Sequence, residues 1–351
     1  MSARTDPHPI RDFFISDLVD YAPKDSAEMM ERPFFSISKR KRNKSIHYES
    51  PDGKLWIKVN ANPTHGMATI WDADILIWCI SRIMAQKDAG KNEVRPIIHT
   101  TPYELLRGIA RSTGGQDYVE LMKAIRRLRT TEVETNIRAG KRRYIAFHYL
   151  GDIEGDGEGP EDPEQLKSLT LRVPDWLLEG IMGGHVLTLD REYFLLTGGI
   201  ERAIYRVARK HAGNQPKGWV CKMETLHTKT GSESPFKKFT FRLREMCRSD
   251  ELPRYAMKET KTQDGSPAVL FVDRAFVAEE SKERRAADAG QRHREDGRAA
   301  WIDAARDPRE FDQAWSAWIE NGHAPSEFAG ACSDKRDRKS TRLNSSHRTV
   351  S

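Results

Sequence analysis

The chain has little cysteine: Cys79, Cys221, Cys247 and Cys332 are scattered among 351 residues, with no Cys-x-x-Cys pair. That spacing excludes a paired-thiol motif and predicts reduced structural thiols in a cytosolic protein. Long apolar runs are missing as well. The longest, ILIWCI at residues 75–80, falls far short of the roughly 20 residues a membrane helix needs. The first residues carry Asp6, Asp12 and Asp17 and no apolar stretch of an export signal, so neither export nor membrane insertion is expected. No G-x-x-x-x-G-K-[S/T] loop is present to cradle a triphosphate. No His-x-His pair is present to serve a metal-dependent nickase, and His47, His65, His185 and His227 show no ligand spacing. An acidic stretch resembling a calcium loop has Pro163 where the ligating Glu belongs. No catalytic residue, metal or cofactor is therefore expected, and the chain reads as a non-enzyme.

Net charge says little by itself. Of the total of +6, the last seventeen residues supply six bases against one acid, which leaves +1 for residues 1–334. Within those, residues 151–164 (GDIEGDGEGPEDPE) hold seven acids and no base, so cations are concentrated elsewhere. Clustering of charge is thus more informative than its sum.

The stretch STGGQDYVELMKAIRRLRTTEVE, residues 112–134, opens on a Gly-Gly turn and continues as an amphipathic helix. At about 100° per residue, Tyr118, Leu121, Met122, Ile125 and Leu128 share one face, and Lys123, Arg126, Arg127 and Thr130 lie roughly opposite. A buried-type helix precedes it at residues 71–84, followed by a short helix with Thr101 as N-cap, Pro102 first and Glu104 completing a capping box. Two β-rich segments follow, at residues 132–137 and 144–150, joined through Gly140. Three helices and a hairpin make a winged helix, with Arg138, Lys141, Arg142 and Arg143 at the wing tip.

The pattern then recurs at residues 198–212, 220–231, 235–249 and 255–273. Tyr118, Leu121, Ile125 and Leu128 are answered 118 residues later by Phe236, Phe239, Leu243 and Met246; Leu106 and Ile109 are answered by Met223 and Leu226 at an offset of 117. The second third helix carries Lys237, Phe241, Arg244 and Arg248 along its outer stripe, and its hairpin adds Lys258 and Lys261. An exposed aromatic among cations suits a thymine methyl in a major groove, while packing of Phe241 on a neighbouring domain is the alternative. The expected fold is α+β, two tandem winged-helix domains: an N-terminal segment (1–32), the first domain (33–150), an acidic linker (151–167), the second domain (168–277), a charged helical extension (278–334) and a tail (335–351). KRKRNK, residues 39–44, is either a phosphate contact or a solvated loop. Phe311, Trp315, Trp318 and Ile319 form a patch that either covers the second domain or docks a partner. The terminal RKSTRLNSSHRTVS resembles translated sequencing-adapter sequence and is set aside as non-native.

MERPFFSISKRKR, ATIWDADILIWCISRI, RSTGGQDYVELMKAIRRL and GWVCKMETLHTKTGSESPFKKFTFRLRE, in this order, resemble the replication initiator protein A family of bacterial plasmids over about residues 14–274. The resemblance implies a tandem winged-helix initiator that binds repeated double-stranded plasmid origin DNA. It implies opening of an adjacent AT-rich segment and recruitment of host replication proteins, the helicase and the chromosomal initiator among them. It also implies binding as a monomer at the origin and as a homodimer during autorepression. A tandem winged-helix transcriptional repressor with no replication role would present the same surface.

Overall fold

The computed structural model describes residues 22–90, 94–156 and 167–333. The expected tail and the middle of the acidic stretch, residues 157–166, lie outside the described residues. The chain divides after Arg274 into two compact units.

The first unit begins with β1 (Lys24–Ser26), α1 (Ala27–Glu31) and a hairpin of β2 (Ile46–Glu49) and β3 (Trp56–Asn60). Next come α2 (Ala73–Asp88), β4 (Ile97–Thr100), α3 (Pro102–Gly108) and α4 (Gly115–Thr130). Strands β5 (Glu132–Thr135), β6 (Ile145–His148), β7 (Ile153–Asp156) and β8 (Ser168–Arg172) follow, then α5 (Asp175–Met182) and β9 (Val186–Thr188). The second repeat is α6 (Gly199–Ala212), β10 (Trp219–Lys222), α7 (Met223–Thr230), α8 (Phe236–Ser249), β11 (Tyr255–Lys261) and β12 (Pro267–Asp273).

Local sequence accounts for the helices. Thr101 accepts from the Glu104 N–H while the Glu104 carboxylate takes the Thr101 N–H, so both ends of the capping box are closed and α3 starts with Pro102. Gly231 ends α7 in the left-handed conformation at φ 62°. The turn between α3 and α4 takes its left-handed residue from Ala110 at φ 55°, whereas Gly114 and Gly115, expected to supply it, serve as N-cap and first helical residue. The two third helices bury corresponding residues: Leu121, Ile125 and Leu128 in α4, and Phe239, Leu243 and Met246 in α8.

The strands require a correction. β5 and β6 do pair, Glu132 with His148 and Thr135 with Ile145, but β5 also pairs with β3. The hairpin expected to be the first wing is thus part of a four-stranded antiparallel sheet, β2-β3-β5-β6. β4 pairs with β8, and β8 with β7, in the order β4-β8-β7, which repeats the β10-β12-β11 order of the second half. The counterpart of β11–β12 is therefore β7–β8, and the stretch expected to be a linker from residue 151 enters a strand at Ile153. Burial explains the pairing: β4 turns Ile98 inward opposite Leu171, and Leu169 lies buried opposite Thr100.

Of the expected N-terminal segment (1–32), the described residues 22–32 are built into this unit. β1 pairs with β9, the Lys24 N–H donates to Ser81 Oγ of α2 at 2.8 Å, and Asp25 pairs with Arg206 of α6 at 2.8 Å. Phe35 stacks on Tyr149 at 4.7 Å, and the Tyr149 hydroxyl donates to the Phe34 carbonyl.

The second unit has helices α9 (Arg274–Asp303, whose first residue closes unit one), α10 (Phe311–Glu320) and α11 (Phe328–Ser333). Trp301, Phe311, Phe328 and Cys332 form its own buried cluster, with Trp315 and Trp318 packed against it. Of the patch noted in the sequence, Phe311, Trp315 and Trp318 pack within this unit, while Ile319 is exposed.

Candidate nucleic-acid interface

The outer side of α8 presents an exposed stripe of basic and aromatic residues. Period 3.6 places Phe239, Leu243 and Met246 inward, which leaves Lys237, Phe241 and Arg248 on the opposite stripe. Phe241 is 57% exposed and is not buried against the other repeat of the first unit. Lys237 and Arg248 are exposed and make no ion pair among the described residues. Lys238, which sequence reasoning passed over, is also exposed, but about 100° round the helix from Lys237 and so to the side of the stripe. Arg244 sits at the edge of the stripe and donates through Nε to Glu259 of β11 at 2.8 Å. That bond braces the guanidinium from the side of the hairpin.

Strand alternation sorts the two hairpin lysines. Tyr255 and Met257 point into the core, so Glu259 and Lys261 continue the same face beyond it, toward α8, and Lys258 lies on the other face. Lys258 and Lys261 are both exposed, but only Lys261 shares the side of Arg244. The tip is held by Asp264, bonded to Lys222 Nζ at 2.5 Å; this bond comes first among the causes that keep its carboxyl below the usual range.

In the first repeat the cations do different jobs. Arg126 is exposed without an ion-pair partner among the described residues, and Lys123 is exposed but paired with Glu120 at 2.8 Å. Thr130 returns its hydroxyl to the Arg126 carbonyl at 2.8 Å. Arg127, expected on the basic face, donates Nε and a terminal nitrogen to the buried Asp72 carboxylate at 2.7 and 2.8 Å. Those bonds hold its pKa above the usual arginine value. It ties α4 to the start of α2 and is not available to a phosphate.

Arg138 also departs from expectation. Its guanidinium lies 4.1 Å over the Trp176 ring and 3.1 Å from Glu28, and burial lowers its pKa. It is an interior brace and not a tip residue. The tip itself exposes Lys141, Arg142 and Arg143, of which Arg142 turns Nε back to the Ala139 carbonyl at 3.4 Å. In residues 39–44, Arg42 is structural, donating to the Gly231 carbonyl at 3.0 Å. Lys39, Arg40 and Lys41 instead line an open cavity of about 480 Å³ beside Trp71. Among the described residues, no group of three or more His, Cys, Asp or Glu is placed to hold a metal, and no helix is long and apolar enough to cross a membrane.

The two repeats, each with a cationic third helix, meet a family model that describes replication initiator protein A and matches residues 24–257. The chain belongs to the replication initiator protein A family. A protein of Wigglesworthia glossinidia brevipalpis that carries the name of a replication protein is 31% identical over 258 residues, covering 73% of this chain and 92% of that protein. Among solved structures, a crystal structure of domains 2 and 3 of RctB is similar with a TM-score of 0.50 at 13% identity, covering 70% of this chain and 96% of that one. At that identity the likeness concerns the fold alone.

Proposed function

We propose that this chain is a plasmid replication initiator that binds repeated double-stranded origin DNA, promotes opening of the origin, recruits the host helicase and chromosomal initiator, and represses its own synthesis. Each repeat acts as a winged helix, the second as the main reader of sequence. The observation that carries the reading is the α8 stripe: an exposed Phe241 between Lys237 and Arg248, neither ion-paired among the described residues, with Arg244 braced at its edge. An apolar group among fixed cations suits a thymine methyl and guanine edges in a major groove. The first repeat anchors the backbone through Arg126 and Lys123. Family membership favours an initiator over a repressor that takes no part in replication.

Competition binding to one origin repeat and to random duplex at fixed salt tests the reading. Arg244→Ala is expected to cost about 1–3 kcal/mol on the specific site, with much less loss on random DNA, as removal of a base contact would. Affinity should also fall steeply with salt, by about 0.9 in log K per log salt for each phosphate neutralised. A flat salt response would remove DNA binding from the proposal. A plasmid lacking its own initiator that replicates only when this protein is supplied would distinguish initiation from simple repression.

A further inference from the structure

The β2-β3-β5-β6 sheet has no counterpart in the second repeat, so its exposed end needs an account separate from that of the wings. Two turns meet at that end. The Trp56 N–H donates to Asn136 Oδ1 at 2.9 Å and Asn136 Nδ2 donates to the Lys54 carbonyl at 2.7 Å, which locks the β2–β3 turn to the β5–β6 turn. On the outer face of the sheet, Tyr144 is 53% exposed and its ring centroid lies 6.4 Å from that of Trp56. Lys141 and Arg143 project beside it with no ion-pair partner among the described residues, and Arg142 is exposed next to them. Farther along the face, Glu134 is occupied by Lys58 and Asn60, and Glu132 by Asn60. Glu49 and Asp52 stand at the same end, where Asp52 accepts from Ser50 at 2.6 Å, so the cations of the two turns outnumber the acids.

From this arrangement we infer that the end of the sheet around Tyr144 and Trp56 is a site for single-stranded DNA, distinct from the duplex-facing side of α8. In a duplex the flat faces of the bases are hidden in the stack, and an aromatic ring lying on a sheet face has nothing to meet. A single strand offers those faces freely, and successive bases stack on exposed aromatic rings while nearby cations follow the phosphates. The inference rests on the initiator reading only in taking DNA as the nucleic acid. It gives an opened origin a place to be held by the protein that opened it.

The test is fluorescence anisotropy of the full chain with a labelled oligothymidylate of about twenty nucleotides, longer than the site of a single binding surface. A labelled origin duplex is measured alongside. Tyr144→Ala is expected to weaken oligothymidylate binding about tenfold, and Tyr144→Phe to restore it, because the ring and not the hydroxyl does the stacking. Duplex affinity should stay within about twofold for both variants, since one duplex phosphate contact contributes little. Lys141→Ala with Arg143→Ala should flatten the salt dependence on the single strand by about 0.7 per lost contact. Equal losses on both DNAs would make the tip an ordinary duplex contact and overturn the inference. So would wild-type protein that binds the duplex but not the oligothymidylate, a result that leaves the proposed function standing. Matching urea melts of the variants exclude misfolding as the cause.

Discussion

Arg126 and Arg127 are neighbours on one helix, yet a guanidinium bonded through two nitrogens to a carboxylate holds a fold together, and one without a partner can meet a phosphate. Asp72 is 2% exposed at its side chain, and Arg127 is its bidentate partner. Removing the arginine would strand a buried carboxylate, which costs about 3 kcal/mol when a buried pair is broken. Arg127→Ala should therefore lower the unfolding free energy by that amount, read from urea melts, and leave the DNA affinity of the folded protein unchanged, while Arg126→Ala leaves stability unchanged and weakens DNA binding. If Arg127→Ala keeps full stability, the pair is not the brace described. The sequence showed Arg127 as a member of a cationic face because helical period is local information. Its partner lies 55 residues away, and the partners of Arg138, Trp176 and Glu28, are likewise distant, so nothing local marks either arginine as structural. The stripe of Lys237, Phe241 and Arg248 was legible because exposure opposite a buried face follows from the period alone.

At the scale of elements, helices were legible and strand partnerships were not. A cap such as Thr101 with Glu104 marks a helix within four residues, but whether β4 pairs with β6 or with β8 depends on which long-range arrangement buries Ile98, Leu169 and Leu171 together. Adjacent hairpins carry the same local turn signals. The exchange of hairpins changes the charge of the first wing. In place of the basic tip expected there, the strand β7 carries Glu154 and Asp156 at the head of an acidic stretch, and like charge on phosphate is repulsive. On the proposed reading, backbone contact from a wing is then expected from β11–β12. Strand alternation there separates Lys261, on the side of α8, from Lys258 on the far face. Lys261→Ala should weaken binding to all duplex sequences alike and reduce the salt slope by about 0.9, the value for one phosphate contact, whereas Lys258→Ala should change neither. A larger effect at Lys258, measured by the same salt titration, would show that the hairpin approaches DNA from its other face.

At the scale of the first unit, the segment around β1 and α1 decides whether the two repeats behave as one body. It touches both: Lys24 reaches Ser81 in α2, Glu28 reaches Arg138, Asp25 reaches Arg206 in α6, and Glu31 reaches Lys229 of α7 at 3.1 Å. Asp25 and Arg206 are buried to 1% and 3% exposure, and burial pushes the Asp25 carboxyl above its usual range against the opposing pull of Arg206. Such a pair adds little net stability relative to apolar residues, but losing one member leaves an uncompensated charge at a cost of about 3–5 kcal/mol. Asp25→Ala should lower the urea midpoint accordingly. Because the strap contacts both repeats, the unit should still unfold in one transition, with fluorescence and circular dichroism coinciding. Replacing both partners, Asp25→Leu with Arg206→Leu, should recover most of the loss, since the buried charge is then removed along with its partner. Two separated transitions in Asp25→Ala, one repeat melting ahead of the other, would mean that the repeats fold independently and that the strap only decorates their junction.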